Sequence, residues 1–146
     1  RPVAPFTEAQ IKAALDGFLG DQYQTPPMYS AVKIGGVPLY KSARKGEEVE
    51  REPRFIRVMS WELTRFGVPR FDFRMRCTKG TYVRTLAHDL GQRLGCGAHL
   101  AALRRTATDK FNVSQAVTLD ELNAMSLPDI EKRLIAPRDA VPSIGL

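Results

Sequence analysis

The stretch from Phe71 to Leu94 constrains the fold more than any other. Phe71, Phe73, Met75 and Cys77 alternate with Asp72, Arg74, Arg76 and Thr78, the period of a strand with one apolar and one polar face. At Lys79-Gly80 the period changes, and Val83, Leu86, Ala87, Leu90 and Leu94 recur on one helical face. The chain thus carries a half-buried antiparallel strand followed at once by an amphipathic helix. The expected class is therefore α+β, a largely antiparallel mixed sheet flanked by helices. Thr81 is the expected cap of the helix, and Gly95 and Gly97 its expected end.

Other segments extend this plan. Thr7-Glu8-Ala9-Gln10 has the form of a capping box, followed by Ile11, Ala14, Leu15 and Phe18 at helical spacing, with Gly20 placed as a C-terminal cap. Phe55 to Phe66 is rich in strand formers, and its alternation breaks once, as at a bulge. Tyr29 to Ile34 is expected to turn at Gly35-Gly36 and return through Val37 to Tyr40, with a short helical turn over Leu39 to Lys45 closed by Gly46. Leu100 to Lys110 fits strand or helix, and a strand near Leu103 is favoured. Thr118 to Glu121 forms a second capping box for a helix through Leu122 and Met125. Pro128 opens another at its first position, with Ile130 and Leu134 facing inward.

Composition sets limits on function. A chain of 146 residues is expected to make one domain with a hydrophobic core. No run approaches the roughly 18 apolar residues of a membrane span. Cys77 and Cys96 form no CxxC pair, and His88 and His99 lack ligand partners, so no metal is expected. The chain begins Arg-Pro-Val-Ala-Pro, with neither an initiator Met nor an apolar leader, so a fragment is expected, and Cys77 and Cys96 read as small buried apolar residues in a reducing cytoplasm. A net charge of +6 leaves two readings open, solubility alone or an acidic polymer as partner.

Two places carry candidate chemistry. In residues 24–54, Tyr29, Lys33, Tyr40, Lys41, Arg44 and Lys45 interleave cations with aromatics. A solvated surface loop fits this pattern, and so does a projecting hairpin that grips RNA through phosphates and bases. At the strand-to-helix turn, Tyr82 and Arg84 lie in the first helical turn. Arg84 is rotated about 100° from the core-facing Val83, with His88 and Gln92 following on its side. Spacing alone leaves Arg84 either an ordinary surface arginine or a site residue.

Lys79-Gly-Thr-Tyr-Val-Arg-Thr-Leu-Ala-His-Asp-Leu-Gly91, Gly95-Cys-Gly-Ala-His-Leu100 and Leu103-Arg-Arg105 resemble, in order, the C-terminal catalytic motif of the TruB family of tRNA pseudouridine synthases. Gln24-Thr-Pro-Pro-Met-Tyr-Ser-Ala-Val-Lys33 and Leu39-Tyr-Lys-Ser-Ala-Arg-Lys-Gly46 resemble that family's RNA-binding thumb. Val117-Thr-Leu119 and Leu134 to Ala140 also fit.

The resemblance implies a pseudouridine synthase fold and an enzyme that isomerises a T-loop uridine of tRNA as a monomer, without cofactor or metal. In the family an aspartate of an upstream Gly-x-Leu-Asp motif attacks the flipped uridine. The glycosidic bond breaks, the uracil turns, and a carbon–carbon bond forms. Arg84 matches the arginine paired with that aspartate, Tyr82 a tyrosine bounding the uridine pocket, and Leu103 a leucine packed on the flipped base. Tyr29, Lys33, Tyr40, Lys41 and Arg44 lie in or beside the thumb-like segments and are the expected RNA-binding residues, together with Lys79; Lys79, Arg104 and Arg105 match phosphate contacts or local structure.

No Gly-x-Leu-Asp occurs in the sequence, and Asp89, inside the helix beyond Arg84, matches a position that is not the nucleophile. The expectation is thus the C-terminal part of a catalytic domain over 1–146, with a thumb-like insertion at 24–54. A PUA-type domain is not expected within it, and the piece should be inactive alone. The alternative is a non-catalytic RNA-binding module.

Overall fold

The computed structural model describes residues 2–140. They divide into two compact units, one running to Ala101 and the other starting at Ala102.

The first unit is built in chain order from α1 (Glu8–Asp16), β1 (Gly20–Gln24), β2 (Lys33–Ile34), β3 (Val37–Pro38), α2 (Leu39–Arg44), β4 (Arg54–Arg65), β5 (Asp72–Cys77) and α3 (Val83–Arg93). The main sheet has the order β1-β4-β5, with both pairings antiparallel. Its inward positions supply Ile56 and Val58. α1 adds Ile11 and Leu15, and α3 adds Leu86 and Leu90. With Phe18, these side chains form one buried cluster. Burying each large apolar side chain contributes about 1.5–3 kcal/mol, so this cluster is what makes β4, α1 and α3 one body, with Met75 of β5 packed against it.

The capping box of α1 forms as expected. Gln10 N–H donates to Thr7 Oγ1 at 3.2 Å, and Thr7 N–H donates to Gln10 Oε1 at 2.8 Å. The helix stops sooner than expected, however, with Gly17 as its C-cap, and Gly20 instead opens β1. β1 itself is too polar (Gly-Asp-Gln-Tyr-Gln) to announce a strand by its sequence. β4 carries register shifts between Val58 and Ser60 and between Leu63 and Arg65, where a single break was expected. The alternation of β5 is observed, with Phe73, Met75 and Cys77 half-buried and Asp72, Arg74 and Arg76 exposed, while Thr78, just past the strand, is half-buried.

Gln24 and Arg54 face each other across β1 and β4. Residues 25–53 therefore leave and rejoin the sheet at one place. Within them the expected Gly-Gly hairpin is present but short, with only Lys33↔Pro38 and Ile34↔Val37 paired. Gly35 and Gly36 have φ of 57° and 81°, the positive pair that a type I′ turn needs.

The second unit contains β6 (Ala107–Thr108) paired with β7 (Phe111–Asn112), a 3₁₀ turn (Val113–Gln115), α4 (Leu119–Ala124), α5 (Leu127–Arg133) and α6 (Pro137–Ala140). Thr118 and Glu121 cap α4 reciprocally, as expected. The strand expected near Leu103 does not form: residues 101–106 are irregular, and the pairing begins at Ala107. α5 begins at Leu127 after the cap Ser126, one residue before Pro128. Ile130 is half-buried as expected. Leu134 lies just beyond the helix and is 70% exposed, so the helical spacing that pointed it inward does not reach it.

Candidate active site

The turn into α3 is held from the sheet side. Thr78 N–H donates to the Arg57 carbonyl at 2.9 Å, and Arg57 N–H donates to Thr78 Oγ1 at 2.9 Å, so the β4–β5 ladder persists one residue past β5. Lys79 and Gly80 then project as an exposed turn. Thr81 does not cap the helix. Its hydroxyl donates to the Thr78 carbonyl at 2.9 Å, and the N-cap is Tyr82, in extended conformation (φ −95°, ψ 101°). Because the helix begins at Val83, Thr81 lies one residue too early to reach the first helical N–H groups.

Tyr82 makes no side-chain cap bond, and its backbone is satisfied from another element. The side-chain amide of Gln24, at the end of β1, accepts from Tyr82 N–H at 2.7 Å and donates to the Tyr82 carbonyl at 3.1 Å. Gln24 is buried and Tyr82 half-buried. The clamp acts on the Tyr82 main chain and leaves its phenol uninvolved.

Arg84 lies on the exposed side of α3, opposite the stripe of buried Leu86, Ala87 and Leu90. Its Nη2 donates to the backbone carbonyl of Tyr29 at 2.9 Å. The remaining guanidinium donors retain the planar fork that suits a carboxylate. His88 is exposed on the same helix. At the far end of α3, a β-carbon at Gly91 would collide with the backbone of Gly97 and Ala98, so the close return of the chain requires glycine there.

The insertion places its cations and rings as follows. Tyr29 is 59% exposed, and Lys33 and Lys41 are exposed. Tyr40 is half-buried, with the Arg44 guanidinium 5.4 Å from its ring centre. Tyr40 N–H donates to the Ser30 carbonyl at 3.1 Å, which ties α2 to the segment that carries Tyr29. The segment's own anchors are the buried Pro26, Ser30 and Leu39. Arg51, whose side chain is 20% exposed, reaches back to donate to the Pro26 carbonyl at 3.1 Å.

Among the expected site residues the structure makes one direct link, Arg84 to Tyr29, while Tyr82 stands two residues before Arg84 and is held by Gln24. Lys79 is adjacent in sequence and exposed. Leu103, Arg104 and Arg105 belong to the second unit and are exposed there, Leu103 by 65%. Sequence reasoning did not assign a role to Gln24, Ser30 or Arg51. Gln24 left no signal in the sequence, because its place on the face that holds Ile56 and Val58 follows only from the pairing of β1 with β4.

Perturbed acidities lie away from this turn. The Arg57 guanidinium, hydrogen-bonded to Asp21, holds that carboxyl below its usual range. Hydrogen bonds from Thr118 do the same for Glu121, and one from Ser126 for Asp129. Among the described residues there is no cluster of His, Cys, Asp and Glu that would hold a metal ion, and no helix is long and apolar enough to cross a membrane.

Known proteins match the chain along its length. A model described as TruB family pseudouridylate synthase (N terminal domain) matches residues 1–83, and one described as tRNA pseudouridylate synthase B C-terminal domain matches residues 84–141. Over 143 residues the chain is 76% identical to tRNA pseudouridine synthase B of Opitutus terrae, covering 98% of this chain and 59% of that protein. It is 50% identical over 136 residues to the protein of the same name from Burkholderia mallei, covering 93% of this chain and 45% of the relative. The chain therefore spans about half the length of these relatives. A chain in the crystal structure of a Cbf5-Nop10-Gar1 complex is similar in fold, with a TM-score of 0.65 and 30% identity over 82% of this chain and 32% of that one.

Proposed function

This chain belongs to the TruB family of pseudouridylate synthases, and on that premise we propose that its protein converts the T-loop uridine at tRNA position 55 to pseudouridine. The observation that carries the reading is the start of α3, where Arg84 stands exposed on a core-anchored helix and is hydrogen-bonded to the base of a cation-rich insertion.

Each residue then has a physical task. Arg84 presents its fork to a catalytic aspartate from a segment upstream of this sequence, keeping that carboxylate ionised and aimed. Tyr82 bounds the pocket of the flipped uridine, and Leu103, in the second unit, keeps the base-packing role that the family resemblance gives it. Tyr29, Lys33, Tyr40, Lys41 and Arg44 grip the T arm, with Lys79 adding a phosphate contact. The reaction is an internal rearrangement of one nucleoside, so it calls for no redox group. The proposed setting is cytoplasmic tRNA, with the enzyme acting as a monomer.

The test is pseudouridine formation on a T-arm stem-loop by the full-length protein and, separately, by residues 1–146. The full-length protein is expected to convert the uridine, and the shorter chain to leave it unchanged. Conversion by the shorter chain would overturn the need for an upstream aspartate. RNA binding without conversion by the full-length protein would favour a non-catalytic binding module.

A further inference from the structure

We propose that Gln24 is a positioning residue for the uridine site: it fixes the N-terminus of α3 through the backbone of Tyr82. This role rests on the functional reading above, and nothing in the chemistry of that reading requires it.

Burial of an amide carries a cost. A primary amide placed among apolar side chains is unfavourable unless both its ends are paired. Gln24 is 5% exposed, and it lies on the face of β1 and β4 that holds Ile56 and Val58. Both ends are satisfied by one residue, Tyr82, whose N–H and C=O receive the amide as a neighbouring strand would. The partner lies 58 residues away in the chain. The pairing is therefore a tertiary clamp.

Its position gives it leverage. Tyr82 is the N-cap, with no side-chain cap of its own, and its carbonyl already accepts from Thr85 N–H at 3.1 Å and Leu86 N–H at 3.2 Å. The Gln24 amide adds a donor to that carbonyl, and its oxygen takes the one N–H that precedes the helix. The clamp therefore restrains both peptide planes that flank the Tyr82 α-carbon. Because Arg84 follows two residues later in the same turn, the clamp sets the direction of both the Tyr82 ring and the Arg84 fork. Gln24 is also the last residue of β1, where the insertion departs opposite Arg54. One side chain thus ties the root of the insertion to the start of α3. Supporting groups of this kind matter because small displacements of a catalytic group reduce rate much more than they reduce binding.

The experiment uses the full-length protein and a T-arm stem-loop, at a temperature well below unfolding. Gln24→Ala is expected to lower kcat by about tenfold to 100-fold with KM nearly unchanged. Amide exchange at Tyr82 should accelerate, since its N–H loses its acceptor. Gln24→Glu keeps the acceptor and supplies a donor only when its carboxyl is protonated. Its kcat, divided by that of the wild type at each pH, should therefore rise as pH falls, a signature that a purely structural role would not give. It also serves if Gln24→Ala does not fold.

A kcat within twofold of wild type, a KM rising in step with the loss of kcat, or a Gln24→Glu ratio flat with pH would each overturn the positioning role. If the wild type forms no pseudouridine, the functional reading fails, and Tyr82 exchange still judges the clamp: unchanged exchange in Gln24→Ala refutes it.

Discussion

The start of α3 and the insertion at 25–53 carry the two halves of the proposed site and are built in opposite ways. α3 buries Leu86, Ala87 and Leu90 and is clamped at its first turn by Gln24. The insertion contributes no residue to the main core and is organised by its own buried Pro26, Ser30 and Leu39. Arg51 and Tyr40 close it on itself through the Pro26 and Ser30 carbonyls, and Arg84 ties it to α3 through the Tyr29 carbonyl. A helix that shares the core can hold a guanidinium to the tolerance catalysis demands. A segment outside the main core cluster can adjust to an irregular RNA surface and open locally without unfolding the rest. Precision and adaptability are thus assigned to different packing environments, linked at Gln24 and at Arg84.

The largest expected effect that separates the two regions comes from truncation. Leu86→Ala should destabilise the first unit by about 2–5 kcal/mol in urea unfolding. Leu39→Ala, at an equally buried position, should instead speed amide exchange at Tyr40 and leave the midpoint of the main transition nearly in place. Equal midpoint shifts from the two variants would make the insertion part of the main cooperative unit.

Next in size is charge reversal at Lys33, Lys41 and Arg44 of the full-length protein. Binding of tRNA should weaken, and the dependence of log K on log salt should flatten by about one for each phosphate that is no longer neutralised. An unaltered slope would remove phosphate gripping from the insertion. Gly36→Ala forces a β-carbon onto a φ of 81° and should cost about 1–2 kcal/mol, confined to the hairpin and visible in exchange at Val37.

The smallest effect is expected at Asp21, on the sheet away from either region. Its carboxyl is held below the usual range by Arg57, so the folded state favours the ionised form. That contribution is present above the ordinary carboxylate range and fades as pH falls through the depressed folded value. Asp21→Asn should therefore differ from wild type slightly at neutral pH and converge with it in acid. A gap that widened in acid would reverse the assigned sign.

What the sequence disclosed follows from how local each cause is. The β5-to-α3 transition, both capping boxes and the Gly35-Gly36 turn depend on neighbours in the chain, and periodicity and turn chemistry reported them. β1 was not legible, because Gly20 to Gln24 is mostly polar and becomes a strand by pairing with β4. Thr81 was misread as the cap because the helix begins at Val83, one residue later than expected, and leaves the cap position to Tyr82, whose main chain pairs with Gln24. The strand expected at Leu103 failed for a related reason: apolar content near residue 103 has no pairing partner until Ala107 meets Asn112. Arg84 was identifiable by family resemblance, while its bond to the Tyr29 carbonyl is a tertiary fact that no spacing encodes.

The role of Arg84 is tested most directly by the single-turnover rate of pseudouridine formation on a T-arm stem-loop by full-length Arg84→Lys, with RNA affinity measured alongside. Lysine keeps the charge and loses the planar fork, so the rate should fall by about 100-fold while affinity changes little. A wild-type rate in that variant would contradict the role given to Arg84.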